Sequence, residues 1–211
     1  MEALNTRQVQ DCLEQVAAKM IASKELLTHA DQAIGDGDHG IGMARGFEAV
    51  LAKLQSEPFS TPEEIFRKVG FTLLSSIGGA AGAIFGSFFI GAANGLKGKA
   101  SFNSAAYAKA LQSGLETVQA RGKAKVGDKT MVDALAPAAQ IALANADKNL
   151  DEMSTLVYQA AEQGMKKTKD FIATTGKSKT LGERSLGHAD PGAISMALIL
   201  SFINEYINMH E

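Results

Sequence analysis

Between residues 31 and 42 the chain reads Asp31-Gln-Ala-Ile-Gly-Asp36-Gly-Asp38-His39-Gly40-Ile41-Gly42, three carboxylates, four glycines and a histidine in twelve positions. Carboxylates at that density repel one another unless a cation lies between them. Aspartate oxygens are hard ligands, which points to Mg²⁺ or Ca²⁺. Counting excludes an EF-hand: a loop begun at Asp36 puts Gly40 at its fifth position and Phe47 at its twelfth, where a bidentate Glu is required. Mg²⁺ shared with the phosphates of a nucleotide fits better, because that ion takes few protein carboxylates and fills its shell with phosphate and water. The glycines let backbone turn sharply and approach a ligand closely. A solvated turn with an aspartate helix cap is the competing reading, and it explains one carboxylate of the three.

Three further stretches are rich in glycine and polar groups: 75–82, 121–130 and 176–192. The amides of Gly78-Gly79-Ala80-Ala81-Gly82, and those that follow His39, are suited to phosphate oxygens if each opens a helix. Lys123, Lys125, Lys129, Lys177, Lys179 and Arg184 offer positive charge for an anion, or solvated surface. Gly176-Lys177-Ser178 imitates the end of a Walker A loop, but that pattern needs glycine where Phe171 stands, and no strand precedes it. His39 and His188 are candidate bases or structural hydrogen-bond donors.

These loops need helices to hold them, and the periodicity supplies about eight. Asn5 or Thr6 caps a first helix with Val9, Leu13, Val16 and Met20 on one face, running to the aspartate loop. Cys12 shares that stripe and is expected as a buried thiol. A second helix starts near Gly40 and carries Met43, Phe47, Val50, Leu51 and Leu54. Thr61-Pro62-Glu63-Glu64 combines a capping box with proline at the first helical position and opens a third. From Val69 through Leu96 no residue is charged, so a membrane span has to be weighed. Its Gly78, Gly82, Gly86 spacing imitates a membrane packing motif. Ser75 through Gly82 breaks the run into two arms, however, each the length of a core helix, and the soluble reading is preferred. Later helices bear Ile84, Phe85, Phe88 and Phe89; Tyr107, Leu111, Leu115 and Val118 after an Asn103 or Ser104 cap; Met131, Leu135 and Ile141; Met153, Leu156, Ala160 and Met165. Asp190-Pro191 caps the last, with Ile194, Leu198, Ile203 and Ile207. No alternating strand is found. The expectation is an all-α single domain over residues 1–211, a closed antiparallel barrel or bundle.

At 211 residues the chain can bury a substantial core. A formal net charge of −2 gives no support to a nucleic-acid surface, and the single cysteine excludes an intramolecular disulfide or a cysteine-rich zinc site. The first residues lack the basic-then-apolar order of a signal peptide, so a cytoplasmic location is expected. In an up-and-down array alternate connections share one end. The loops after helices one, three, five and seven of this count are the four unusual ones, so helix counting gathers them at one end.

The residues now support a resemblance. Ile34-Gly-Asp-Gly-Asp-His-Gly40, Leu74-Ser-Ser-Ile-Gly-Gly-Ala80, Arg121-Gly-Lys with Gly127-Asp-Lys-Thr-Met131, and Leu181-Gly-Glu-Arg-Ser-Leu-Gly-His188 with Asp190-Pro191-Gly192 together resemble the L subunit of the dihydroxyacetone kinases. The likeness covers essentially the whole chain in the same order. It implies a closed barrel of eight antiparallel helices holding ADP or ATP with two Mg²⁺ at one end. It places Asp31, Asp36 and Asp38 on the metals. His39, Gly40, Ile41, Gly42, Ala80, Ala81, Gly122, Met131, Lys177, Asp190, Pro191 and Gly192 match the family's nucleotide-contacting positions. The family often has Asn where Gly42 stands, Ser where Ala81 stands and Arg where Lys177 stands; the first two changes remove side-chain contacts to phosphate, and Lys is a poorer bidentate partner than Arg.

The resemblance also implies a division of labour. The ketose is held covalently on a separate K subunit, so this chain alone is expected to phosphorylate nothing. In one version of the family the K and L domains share one polypeptide and exchange ATP. In the other, bound ADP is recharged in place by an M-type subunit of the phosphotransferase system, and a chain of this length points to that version. A non-catalytic nucleotide sensor acting on a regulator, and a lipid-binding helical barrel using residues 69–96, are the readings of other classes. Neither membrane nor nucleic acid is expected as a partner, and a homodimer is left open.

Overall fold

In the computed structural model, which describes residues 1–210, the chain is almost wholly helical. Its helices are α1 (Thr6–Ala22), α2 (Lys24–Ile34), α3 (His39–Ser56), α4 (Pro62–Ser76), α5 (Gly79–Gly95), α6 (Ser104–Gly122), α7 (Val132–Ala144), α8 (Leu150–Lys167) and α9 (Pro191–Met209). Two short 3₁₀ segments, Thr168–Asp170 and Lys177–Ser185, lie between α8 and α9.

Several starts obey the predicted chemistry. The Asn5 side chain accepts from Gln8 N while the Gln8 side chain accepts from Asn5 N, a reciprocal pair that satisfies two end donors of α1. Asn103 caps α6 through Ala106 N, and Asp190 caps α9 through Ala193 N with Pro191 next in line. At α4, Thr61 accepts from Glu64 N as expected, but the Glu64 carboxylate takes Ser60 N, one residue before the cap.

The helices pack as a closed ring in the order α1, α3, α4, α5, α6, α7, α8, α9 and back to α1. Short connections make neighbouring staves antiparallel. The interior is filled by the apolar stripes, among them Val16, Met20, Phe47, Leu54, Leu73, Phe89, Leu111, Leu135, Met153 and Ile199, all at most 1% exposed. Cys12 is buried there as anticipated. Ala3–Leu4 pairs antiparallel with Phe102–Asn103, a two-residue sheet that pins the N-terminus beside the start of α6.

Three expectations need correction. The first predicted helix is two, since the chain breaks at Ser23, whose Oγ and N both bond Lys19 O. The ring therefore keeps eight staves, and α2 lies outside it, packed on α3 and α9. On α8 the buried face is Met153, Val157, Ala161 and Gly164, so Leu156, Ala160 and Met165 fall on its half-buried flank. The pair of extended residues at each end of the small sheet was too short to register as alternation.

The uncharged run 69–96 is cut at Ile77-Gly78 into the end of α4 and the whole of α5, which lie against each other. A Cβ on Gly70 would come within 2.9 Å of Gly86 O, and one on Gly86 within 2.9 Å of Gly70 O, so the small residues serve this helix pair. By length and composition α9 could cross a membrane, but half of its apolar stretch is buried against α8, α1 and α7.

Candidate functional site

The connections α2–α3, α4–α5, α6–α7 and α8–α9 meet at one end of the ring around a cavity of about 640 Å³. Helix counting in the sequence predicts this convergence.

The carboxylates come from α2 and the loop behind it. One oxygen each from Asp31, Asp36 and Asp38 lies within 4.8 Å of the others. Asp31 is buried and accepts from the His39 amide at 3.2 Å, while Asp36 and Asp38 are exposed. Asp38 occupies the cap position of α3 yet makes no capping bond, its carboxylate pairing instead with Lys177. That removes the solvated-cap reading. Lys177 Nζ bridges the pair, 2.5 Å from Asp36 Oδ2 and 2.9 Å from Asp38 Oδ2. The Lys177 hydrogen bond is the main cause of the lowered Asp36 pKa, and the two carboxylates raise that of Lys177. Three hard oxygen donors, two of them solvent-facing, are a set that Mg²⁺ accepts while keeping positions for phosphate and water.

Two helix N-termini face the same space. His39, Ile41 and Gly42 of α3 line it, and so do Gly79, Ala80 and Ala81 of α5. Gly78, at φ 78° and ψ 171°, supplies the left-handed turn that aims α5 at the cavity. Arg45, a residue the sequence did not single out, braces that turn: its Nε donates to Ser76 O at 2.8 Å and its Nη2 to Ile77 O at 2.5 Å. Backbone amides at helix N-termini donate readily to anionic oxygen. The opposite wall, from α5 to α7, is apolar, with Ile84, Phe85, Val118 and Val132. The cavity therefore offers charge at one side and an apolar slot at the other.

His39 points its Nε2 at Ser195 Oγ on α9, 2.8 Å away, and both side chains are largely enclosed. Burial holds the imidazole below its ordinary pKa, against the pull of Asp31 and Asp38. Its observed role is to tie the start of α3 to α9. Asp190 sits at the base of the wall. Burial, helped by Asp133 and opposed chiefly by the Ala193 amide, raises its pKa to about 7.

Of the predicted nucleotide positions, His39, Ile41, Gly42, Ala80, Ala81, Gly122, Met131, Lys177, Asp190, Pro191 and Gly192 line the cavity. Gly40 does not. It is buried against α2, where a Cβ would meet Lys24 O at 2.3 Å and Thr28 Oγ1 at 2.3 Å. Asp36 stands outside the wall beside Asp38. A Cβ on Gly42 would lie 3.3 Å from Ile77 Cγ2, so a side chain there requires Ile77 to give by a few tenths of an ångström.

Among the candidate cations only Lys129 and Lys177 line the cavity. Lys129 is 2% exposed and donates to Thr168 O and His188 O, both at 2.6 Å, joining the two longest loops. Asp133 orders the α6–α7 loop by accepting from Gly127 N at 2.6 Å and Thr130 N at 2.8 Å. The sequence reading missed Gly35 as well: a Cβ there would stand 2.2 Å from Asp31 Oδ1. An unbroken GDGD run was the available signal for Gly35, and nothing local marked Ser195 or Arg45.

Residues 33–205 match the DAK2 domain model. The chain belongs to the DAK2-domain family. The resemblance read in the sequence is thereby borne out. Among relatives, the ADP-binding subunit DhaL of the PEP-dependent dihydroxyacetone kinase of Escherichia coli is 36% identical over 203 residues, 95% of this chain and 97% of its own. The DhaL ADP-binding subunit of the PTS-dependent dihydroxyacetone kinase of Lactococcus lactis is 38% identical over 189 residues, covering 90% and 91%. Among solved structures, the dihydroxyacetone kinase from C. freundii in complex with AMP-PNP and Mg²⁺ superimposes with a TM-score of 0.76 at 28% identity. The match spans 97% of this DAK2 chain and 35% of that longer polypeptide.

Proposed function

We propose that the chain is the nucleotide-holding, phosphoryl-transferring L-type subunit of a dihydroxyacetone kinase, working in the cytoplasm as one domain over its whole length. One observation carries this: Asp31 and Asp38, with Asp36 close beside them, share a single cavity with two helix N-termini. The family membership and the near full-length likeness to ADP-binding subunits support it. The aspartates would hold Mg²⁺, two ions by the family resemblance. Held by Asp31, Asp36 and Asp38, Mg²⁺ would supply positive charge against that of the nucleotide phosphates.

The chain's own groups do the rest. Asp31, fixed by the His39 amide, gives one oxygen a set direction. The amides of Gly79, Ala80 and Ala81 receive phosphate oxygens, and Ile84, Phe85, Val118 and Val132 enclose the base. Ala81 offers its amide but no hydroxyl. Lys177 supplies a mobile positive charge to the transferred group. Dihydroxyacetone, or a related short ketose, is presented by a K-type subunit, and an M-type subunit of the phosphotransferase system returns phosphate to ADP in place.

The test is reconstitution with a K-type subunit and an M-type subunit supplied in its phosphorylated form, following dihydroxyacetone phosphate. Turnover is expected only with all three subunits, and none from this chain alone. Asp38→Asn should weaken calorimetric ADP affinity in Mg²⁺ at least tenfold while Lys53→Ala leaves it unchanged. Equal affinities would remove the metal assignment.

A further inference from the structure

Lys177 does more than line the cavity: its ammonium lies in the space the carboxylates leave for a cation, 2.5 and 2.9 Å from Asp36 Oδ2 and Asp38 Oδ2. We propose that Lys177 is an internal counter-ion which occupies the aspartate pair until a divalent cation arrives, and that the cation, by displacing it, unlatches residues 176–184. The inference rests on the metal reading of the site given above.

Occupancy is exclusive on distance alone. Mg²⁺ takes carboxylate oxygens at about 2.0–2.1 Å, and an ammonium already in contact with the same two oxygens cannot remain there. Charge sets the direction of exchange. Three carboxylates against one ammonium leave the cluster negative, so at the same oxygens a divalent ion offsets more of that charge than the monovalent ammonium it replaces. The contact is also easily broken, since Lys177, Asp36 and Asp38 are each more than half exposed and exposed ion pairs are individually weak.

The latch has a segment to release. Among the described residues, the hydrogen bonds and ion pairs of 176–184 run within the segment or to Ser185 and Leu186, apart from the two made by Lys177. Gly176 at φ 67° and Gly182 at φ 55° bound the piece that Lys177 holds. Once freed, the same ammonium remains at the cavity wall and can turn to an incoming phosphate. Lysine suits this exchange because its charge is compact and rotates freely, whereas the planar guanidinium of arginine would grip both carboxylates as a fork. The metal thus arrives to a site kept from self-repulsion, and its arrival produces the cation that the anion needs.

The test titrates Mn²⁺, which favours the same oxygen ligands, into the full nucleotide-free chain and follows free ion by electron paramagnetic resonance. Lys177→Met is expected to bind Mn²⁺ at least threefold more tightly than the parent, and the control Lys169→Met within twofold of it. Hydrogen exchange read by mass spectrometry should show residues 177–185 of the parent speeding up on Mn²⁺ addition. In Lys177→Met they should be fast from the outset and unchanged by the ion. Mn²⁺ affinity that is equal or weaker in Lys177→Met, or exchange that ignores Mn²⁺ in the parent, overturns the latch and leaves the metal site standing. Absence of Mn²⁺ binding in all three proteins overturns the latch and the metal reading together.

Discussion

Asp190 shows how a residue can be legible in one role and hidden in another. Its capping of α9 follows from Asp-Pro-Gly alone, and its side chain accepts from Ala193 N at 2.8 Å. Its pKa near 7 does not, because the burial that raises it is made by elements distant in sequence, with Asp133 adding to the effect. The sign follows from linkage. Between the ordinary carboxylate value and about 7 the folded chain binds a proton that the unfolded chain has lost. Stability from this group is therefore complete at acid pH and falls as pH rises through 7, at most about 1.4 kcal/mol per pH unit. Asn keeps the cap and cannot ionise, so Asp190→Asn should gain stability relative to the parent on going from pH 5 to pH 8. Urea midpoints at the two pH values check this, and a constant difference between the proteins contradicts it. The same contrast runs through the site. The aspartate loop was readable because its chemistry is contiguous, whereas Ser195, Arg45 and the buried role of Lys129 depend on partners 156, 31 and 59 residues away, respectively.

At the scale of elements, helix starts were the most legible feature, since caps and prolines act within four residues of themselves. The break at Ser23 was not, because the apolar stripe runs on across it from Met20 to Leu27, both fully buried. Interior faces were also shifted where a neighbour came unusually close, and α8 is the case in point. Pro137 inside α7 has no N–H to give Asp133 O. Helix α8 comes up against that carbonyl through Gly164, where a Cβ would meet Asp133 O at 2.1 Å and Pro137 Cγ at 2.9 Å. Alanine normally improves a helix by ~0.5–1 kcal/mol over glycine. Here the backbone carbonyl cannot yield as a side chain would, and overpacking of this kind costs ~1–3 kcal/mol. Gly164→Ala should accordingly lower the unfolding free energy in urea despite its higher propensity. An unchanged or raised midpoint would show that α7 and α8 separate freely. Because Asp133 also holds Gly127 N and Thr130 N, the strain is expected to spread to the α6–α7 loop of the site.

The whole molecule is a ring closed by α9 against α1, and closure gives the site its most consequential property. A nucleotide at the cavity would be enclosed by four separate connections rooted in eight of the nine described helices, all but α1. Sequence reading reached this arrangement because antiparallel order fixes which loops share an end. It did not reach the cross-ties His39–Ser195 and Lys129 to His188 O, which stiffen that end once the ring has formed. Release of a ligand held by cation, helix amides and an apolar wall requires several of these contacts to fail together, and affinity of that kind is expressed mainly as a slow off-rate. The missing side chains at Gly42 and Ala81 work the other way, since each removes a potential grip on phosphate. Four loops and a cation outweigh two absent side chains, so ADP is expected to stay bound through many turnovers as a coenzyme. Protein loaded with labelled ADP in Mg²⁺ and chased with excess unlabelled nucleotide should keep its label for minutes or longer. Loss within seconds would instead assign the chain to ATP-exchanging kinases, in which the nucleotide is replaced at each turnover and no subunit is needed to recharge it.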